Sequence, residues 1–266
     1  KNLPDGYFQK LIDLYTKSHS NKFGQVTVGL EGDFTPEVYS GNFARQLDMV
    51  KTLEDQKIVD VVTMKDFANW YRASFSKISP PQIIETDDLL GKKIKAIWYQ
   101  SPAFRAHLTY NYETFETKIL DLRFYYDNFQ EPYYISPNRD LKLSINIPSI
   151  IDSIGNESES WTILKQKLDQ VKVERGEMVL KYSDGTSIKL TKDGIIISGK
   201  VNKIPKAITY APSVKIIKRN NTFSIFPKKE WIFPKEGMIF KDLTPAATNF
   251  LKQRKILLLQ AFIVLT

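Results

Sequence analysis

Apolar residues recur along the chain with two different periods, and the change between them falls near residue 80. In "YFQKLIDLYTKSHS" (7–20) the apolar positions 7, 8, 11, 12, 14 and 15 repeat as one face of a helix does. "GQVTVGL" (24–30) reads as a buried strand. "TPEVYSGNFARQLDMVKTLEDQ" (35–56) reads as a second helix, with Pro36 near its start, Glu37 in the first turn, and Phe43, Leu47, Val50 and Leu53 on one face. "KIVDVVTM" (57–64) is another short apolar strand, and "DFANWYRASF" (66–75) an aromatic-rich helix with Phe67, Trp70, Tyr71 and Phe75 on one side. Helix, strand, helix, strand, helix predicts a parallel α/β arrangement. Two strands cannot form a sheet covered on both faces, so the rest is expected before Lys1 or in another chain.

"SKISPPQIIETDDLLG" (76–91), with Pro80-Pro81 and Asp87-Asp88, marks a boundary. Beyond it the alternation is that of strands: "KKIKAIWYQ", "AHLTYNYE", "TKILDLRFYY" and "LKLSINIPSIID". "SESWTILKQKLDQV" (158–171) predicts a helical interruption with Ser158 as N-cap. "EMVLKYSDGTSIKLTKDGIIISGKV" holds two Asp-Gly turns suited to hairpins, and "AITYAPSVKIIKRNNTFSIFP" adds strands around Asn220-Asn221. Short strands at regular spacing predict an antiparallel β-sandwich-like domain. The expected organisation is an α/β portion over 1–80, a linker over 81–91, the β-domain over 92–245, and the start of a membrane helix over 246–266.

Composition narrows this reading. Hydrophobic residues at 42% and charged residues at 26% are those of a globular protein, and 13 Tyr, 16 Phe and 4 Trp suit a β-rich fold or a surface that stacks on flat ligands. The net charge of +8 is spread among acids without a basic block or nucleic-acid motif, so no nucleic-acid partner is expected. The chain has no cysteine, which removes disulfides and thiolate chemistry. His19 and His107 lack metal-ligand neighbours, and no Gly-rich phosphate loop or Ser-His-Asp arrangement occurs, so no metal and no cofactor are expected. The chain begins at Lys1 without methionine or signal peptide and ends in "KILLLQAFIVLT", behind Lys252, Arg254 and Lys255. A membrane span needs about 20 apolar residues. The chain therefore reads as a fragment whose C-terminus enters a membrane, with an extracytoplasmic domain.

Candidate chemistry centres on "VTVGLEGDF" (26–34), where Glu31 and Asp33 follow a strand. They read either as a strand end followed by an acidic turn or as supplying a catalytic or ligand-binding acid at the carboxyl end of a barrel strand. Trp70 and Tyr71 are candidates for stacking on a sugar, but their helical spacing with Phe67 and Phe75 favours a core stripe. In "FYYDNFQEPYY" (124–134), Pro132 breaks the strand and offers Tyr133 and Tyr134 to a carbohydrate. Asn156 and Asn220 fit glycosylation sequons, and Asp87-Asp88 reads as a calcium contact or a solvated turn.

Residues 26–75 resemble the last β/α units of the (β/α)7 barrel of glycoside hydrolase family 57 and its polysaccharide-deacetylase-like relatives. In that family helices and β-domains follow the barrel. The resemblance covers about residues 7–76, and extends loosely over 92–152 through "IWYQSPAFRAHL" and "ILDLRFYYDNFQEPYY". It implies a general acid/base in an Asp-Gly-Glu-like motif, which "LEGDF" carries with the acids exchanged as Glu31 and Asp33. The family's nucleophile would precede residue 1, and a retaining glycosidase needs two carboxyl groups about 5 to 5.5 Å apart. The resemblance thus implies part of a membrane-attached carbohydrate-active protein, inactive as this chain alone and completed by a missing barrel half. The alternatives are a non-catalytic carbohydrate-binding or structural ectodomain with a degenerate barrel, and an interaction module.

Overall fold

The alternation that follows Pro80 becomes two antiparallel sheets. The computed structural model describes residues 6–17, 20–27, 36–76, 79–125, 149–153, 160–211 and 213–228. The first sheet contains β1 (Gln82–Asp87), β2 (Ile94–Gln100), β3 (Phe104–Asn111), β4 (Glu116–Phe124), β5 (Ser149–Asp152) and β6 (Trp161–Lys165). β1 to β4 pair in sequence order, and β5 and β6 share the far edge of β4. The second sheet contains β7 (Leu168–Glu174), β8 (Glu177–Tyr182), β9 (Ser187–Thr191), β10 (Gly194–Ser198), β11 (Val214–Arg219) and β12 (Thr222–Pro227), in the order β11-β12-β10-β9-β8-β7. The helices are α1 (Tyr7–Thr16), α2 (Pro36–Asp55), α3 (Met64–Ser74) and the single turn α4 (Lys206–Thr209).

One buried cluster takes side chains from both sheets, among them Ile97, Tyr99, Phe104 and Leu122 from the first and Leu180, Ile188, Leu190 and Ile197 from the second. Three tyrosines tie the sheets together. The Tyr99 hydroxyl donates to the Gly176 carbonyl at 2.8 Å, the Tyr110 hydroxyl accepts from the Leu168 amide at 3.1 Å, and the Tyr182 and Thr117 hydroxyls meet at 2.9 Å. Buried phenols need such partners, and burial holds Tyr99 and Tyr182 protonated by raising their pKa values. The "SDGT" turn joins β8 to β9 with Gly185 at φ 81°, and Asn220 at φ 49° turns β11 into β12.

The expected parallel barrel units do not form: among the described residues every strand pairing is antiparallel. The three helices lie where the 3.6-residue period placed them, but the segments between them, as far as they are described, are not strands. Residues 24–27 and 59–63 carry no regular structure. The chain closes α2 with Lys57 at φ 57°, the Ile58 amide donating to Leu53 O and the Lys57 amide to Glu54 O. It then opens α3 with Thr63, which accepts from the Asp66 amide at 3.1 Å and donates to its carboxylate at 2.6 Å. A β-branched run between those caps becomes a strand only when another strand supplies its hydrogen bonds, and Val61 and Val62 instead stand 58% and 55% exposed.

Two further expectations change. The helix read over 158–171 is β6 and β7, because β4 offers Glu116–Ile119 as a free edge for Trp161–Lys165. The 81–91 segment carries β1. The segment "AITYAPSVKIIKRNNTFSIFP" holds the two expected strands, β11 and β12, around Asn220-Asn221, with α4 at its start. The expected membrane segment 246–266 lies outside the described residues, and among those described no helix is long and apolar enough to cross a membrane.

Candidate functional site

In β3, Phe104, Ala106, Leu108 and Tyr110 are buried, so Arg105, His107, Thr109 and Asn111 face away from the core. β4 would continue that alternation and turn Asp121 inward after Thr117 and Ile119. It does not, because His107 opposes Asp121 while Leu108 opposes Ile119, leaving Leu120 as an extra residue. This bulge turns Asp121 and Arg123 to the outer face and Leu122 and Phe124 to the core. Two rows of cross-strand partners result: Gln82, Gln100, Arg105 and Arg123 in one, and Ile84, Trp98, His107, Asp121 and Asp152 in the other.

Asp121 is fully buried and held by two guanidiniums. Arg105 donates through Nε at 2.7 Å and Nη2 at 3.2 Å, and Arg123 through Nε at 2.9 Å. Arg123 also donates from Nη2 to Asp152 at 2.9 Å. The hydrogen bonds to the Asp121 carboxylate raise the pKa of Arg105, so the guanidinium stays charged. His107 lies flat on Trp98, ring centroids 4.1 Å apart and planes within 5°. Both its ring nitrogens are buried without a partner, and burial lowers its pKa, leaving a neutral ring. The Arg105 guanidinium lies over the same indole at 5.7 Å.

A second layer covers this face. Phe23 packs among Phe67, Trp70, Tyr71 and Phe75 of the α3 region, with centroids 5.5 to 6.1 Å away. Asn21 anchors the layer to the free edge of β1: its Nδ2 donates to Ile83 O at 2.8 Å and its Oδ1 accepts from the Ile83 amide at 2.7 Å. That amide side chain imitates one rung of a ladder. The return of the chain requires glycine at 24, where a Cβ would lie 1.8 Å from the Tyr15 carbonyl oxygen.

Between layer and sheet lies a hollow of about 930 Å³. Phe23, Phe67 and Tyr71 line it from the cover, and Trp98, Gln82, Gln100 and Arg105 from the sheet. Gln82 Nε2 is buried without a hydrogen-bond partner. Arg72 also lines the hollow, and no Asp or Glu is among the described lining residues.

Of the expected site residues, Tyr71 lines this hollow. Trp70 belongs to the aromatic stripe around Phe23 and is 45% exposed, outside the hollow's lining. Glu31, Asp33, Tyr133 and Tyr134 lie outside the described residues. Asp87 takes the Tyr112 hydroxyl at 2.7 Å and the Lys95 ammonium at 3.2 Å, which hold its carboxyl below the usual range. The Asp88 carboxylate caps the amides of Leu90 and Lys92. Both have structural work, and no metal-ligand cluster occurs among the described residues. Sequence reasoning passed over Trp98, Arg105, Gln82, Gln100 and Arg72. For Trp98, Gln100 and Arg105 the signal was their alternation with the buried residues of "IWYQSPAFRAHL"; Gln82 and Arg72 lie outside that stretch. Comparison with protein-family models, curated proteins and solved structures gives no match to this chain.

Proposed function

We propose that the chain is a saccharide-binding module and that the hollow over the first sheet holds a sugar unit. The observation that carries this reading is the hollow's lining. A pyranose has an apolar C–H face and a rim of hydroxyls, and it needs a flat aromatic surface beside hydrogen-bonding groups. Phe23, Phe67 and Tyr71 offer aromatic surface from the cover and Trp98 the part of its indole that the stacked His107 leaves uncovered, and Gln82, Gln100 and Arg105 stand around them. A volume of about 930 Å³ lies within the usual range of ligand pockets, roughly 300 to 1,000 Å³. The described lining residues include no acid pair for glycosidic cleavage, and Asp121 is clamped by two arginines, so the reading proposed is one of binding. Attachment to a membrane through 250–266 is part of the proposal, supported by the apolar run "KILLLQAFIVLT" behind its basic collar.

Titration of the protein with a panel of oligosaccharides, followed by tryptophan fluorescence, tests the reading. Binding should quench or shift the emission, and Trp98→Ala should weaken it by about tenfold or more, equivalent to about 1.4 kcal/mol. Unchanged affinity in Trp98→Ala would refute the assignment of the hollow. Release of the protein into the soluble fraction on deletion of 250–266 would support the anchor, and unchanged fractionation would remove it.

A further inference from the structure

We infer that the hollow selects a saccharide bearing a carboxylate, with Arg72 as the group that reads the charge. The inference rests on the saccharide-binding reading and narrows it. Its basis is an imbalance of charge and of hydrogen-bonding capacity in the lining. Arg105 and Arg123 are matched by Asp121 and Asp152, which makes that cluster neutral. Arg72, in the last turn of α3, has no carboxylate partner among the described residues and lines the same hollow. Among the described residues one positive charge therefore faces the hollow without compensation, and no described Asp or Glu lines it.

Two unused hydrogen-bond donors also stand around it. Arg105 spends Nε and Nη2 on Asp121, so Nη1 is uncommitted among the described residues. Gln82 Nε2 is buried with no acceptor. Guanidinium, unlike ammonium, presents a planar fork that matches a carboxylate in two parallel hydrogen bonds. A neutral sugar would leave the Arg72 charge unmatched, whereas a uronic acid brings both the C–H face that suits Trp98 and the anion that suits Arg72.

The test uses the full chain and calorimetric titration at about 0.15 M salt with four probes: oligogalacturonate, the neutral galactan oligomer, a sulfated galactan oligomer, and acetate. Oligogalacturonate should bind about tenfold or more tighter than the neutral oligomer, and its affinity should fall as salt rises. Arg72→Gln should remove that preference, and Arg72→Lys should restore it in part. Arg72 is exposed and unpaired among the described residues, so the variants are expected to fold as the parent does. Equal affinity for the neutral and uronate oligomers would overturn the anion selection and leave saccharide binding standing. Preference for the sulfated oligomer would overturn the carboxylate assignment. Acetate competing as well as oligogalacturonate would overturn the saccharide reading while keeping an anion seat, and no binding by any probe would overturn both.

Discussion

Asp121→Asn removes the charge from a fully buried carboxylate while keeping its shape, and the structure sets the size of the effect. The wild-type group accepts three charge-assisted hydrogen bonds, at 2.7, 3.2 and 2.9 Å, from two arginines. Asparagine retains one acceptor and turns an N–H group toward guanidinium donors. Breaking a buried pair by removing one partner costs about 3 to 5 kcal/mol. Here the arginine side chains keep 30% and 21% exposure and can recover water, which lowers the expected loss to about 2 to 3 kcal/mol. With a urea slope of about 1 to 3 kcal/mol/M the midpoint should fall by roughly 1 M. Added salt should change the loss little, because the carboxylate is out of reach of ions. The companion variant, Asp121→Leu with Arg105→Met and Arg123→Met, removes all three charges together. It should recover most of the loss, since an apolar cluster of similar volume replaces the ion network. A midpoint change below about 0.3 M in Asp121→Asn would refute the idea that this carboxylate holds the two strands' charges in place.

Three other outcomes follow from the same geometry. His107 has a pKa lowered by burial, so the unfolded chain takes up its proton more readily, and stability should fall as pH drops below about 6.5. His107→Phe keeps the stack on Trp98 and should remove that part of the pH slope in urea titrations at pH 7.5 and 5, while gaining about 1 kcal/mol at pH 7.5 by deleting two unpaired nitrogens; identical slopes would refute the assignment. Val61→Lys should change stability by less than about 0.5 kcal/mol because the side chain is 58% exposed, and a loss above about 3 kcal/mol would show that 59–63 is a buried strand. Lys57→Gly should stabilise the protein by about 0.5 to 1 kcal/mol in thermal or urea unfolding, since a non-glycine residue occupies the left-handed C-terminal position of α2; destabilisation would mean that this cap is not formed.

Local periodicity was enough to place α1, α2 and α3 and the strands β2, β3, β4 and β8 to β10. Their side-chain pattern and turn residues are properties of neighbouring positions in the chain. "SDGT" and Asn220-Asn221 announced their turns for the same reason. Tertiary structure decided the rest. "KIVDVVTM" has the composition of a strand but no described partner for its hydrogen bonds, so a pattern typical of parallel barrels led to the wrong fold class. "WTILKQKLDQV" satisfies a helical period as well as two short strands, and the free half of the β4 edge settles the choice. The outward turn of Asp121 depends on one extra residue, Leu120, opposite β3, and alternation alone would have put that carboxylate in the core. The hollow joins Phe23, α3 and β1 to β3, segments whose meeting depends on Asn21 pairing with Ile83. Residue types could suggest aromatic and basic candidates. Only the packing of distant segments could bring Trp98, Arg105 and Arg72 around one space, because that contact is made by folding and has no counterpart in local spacing.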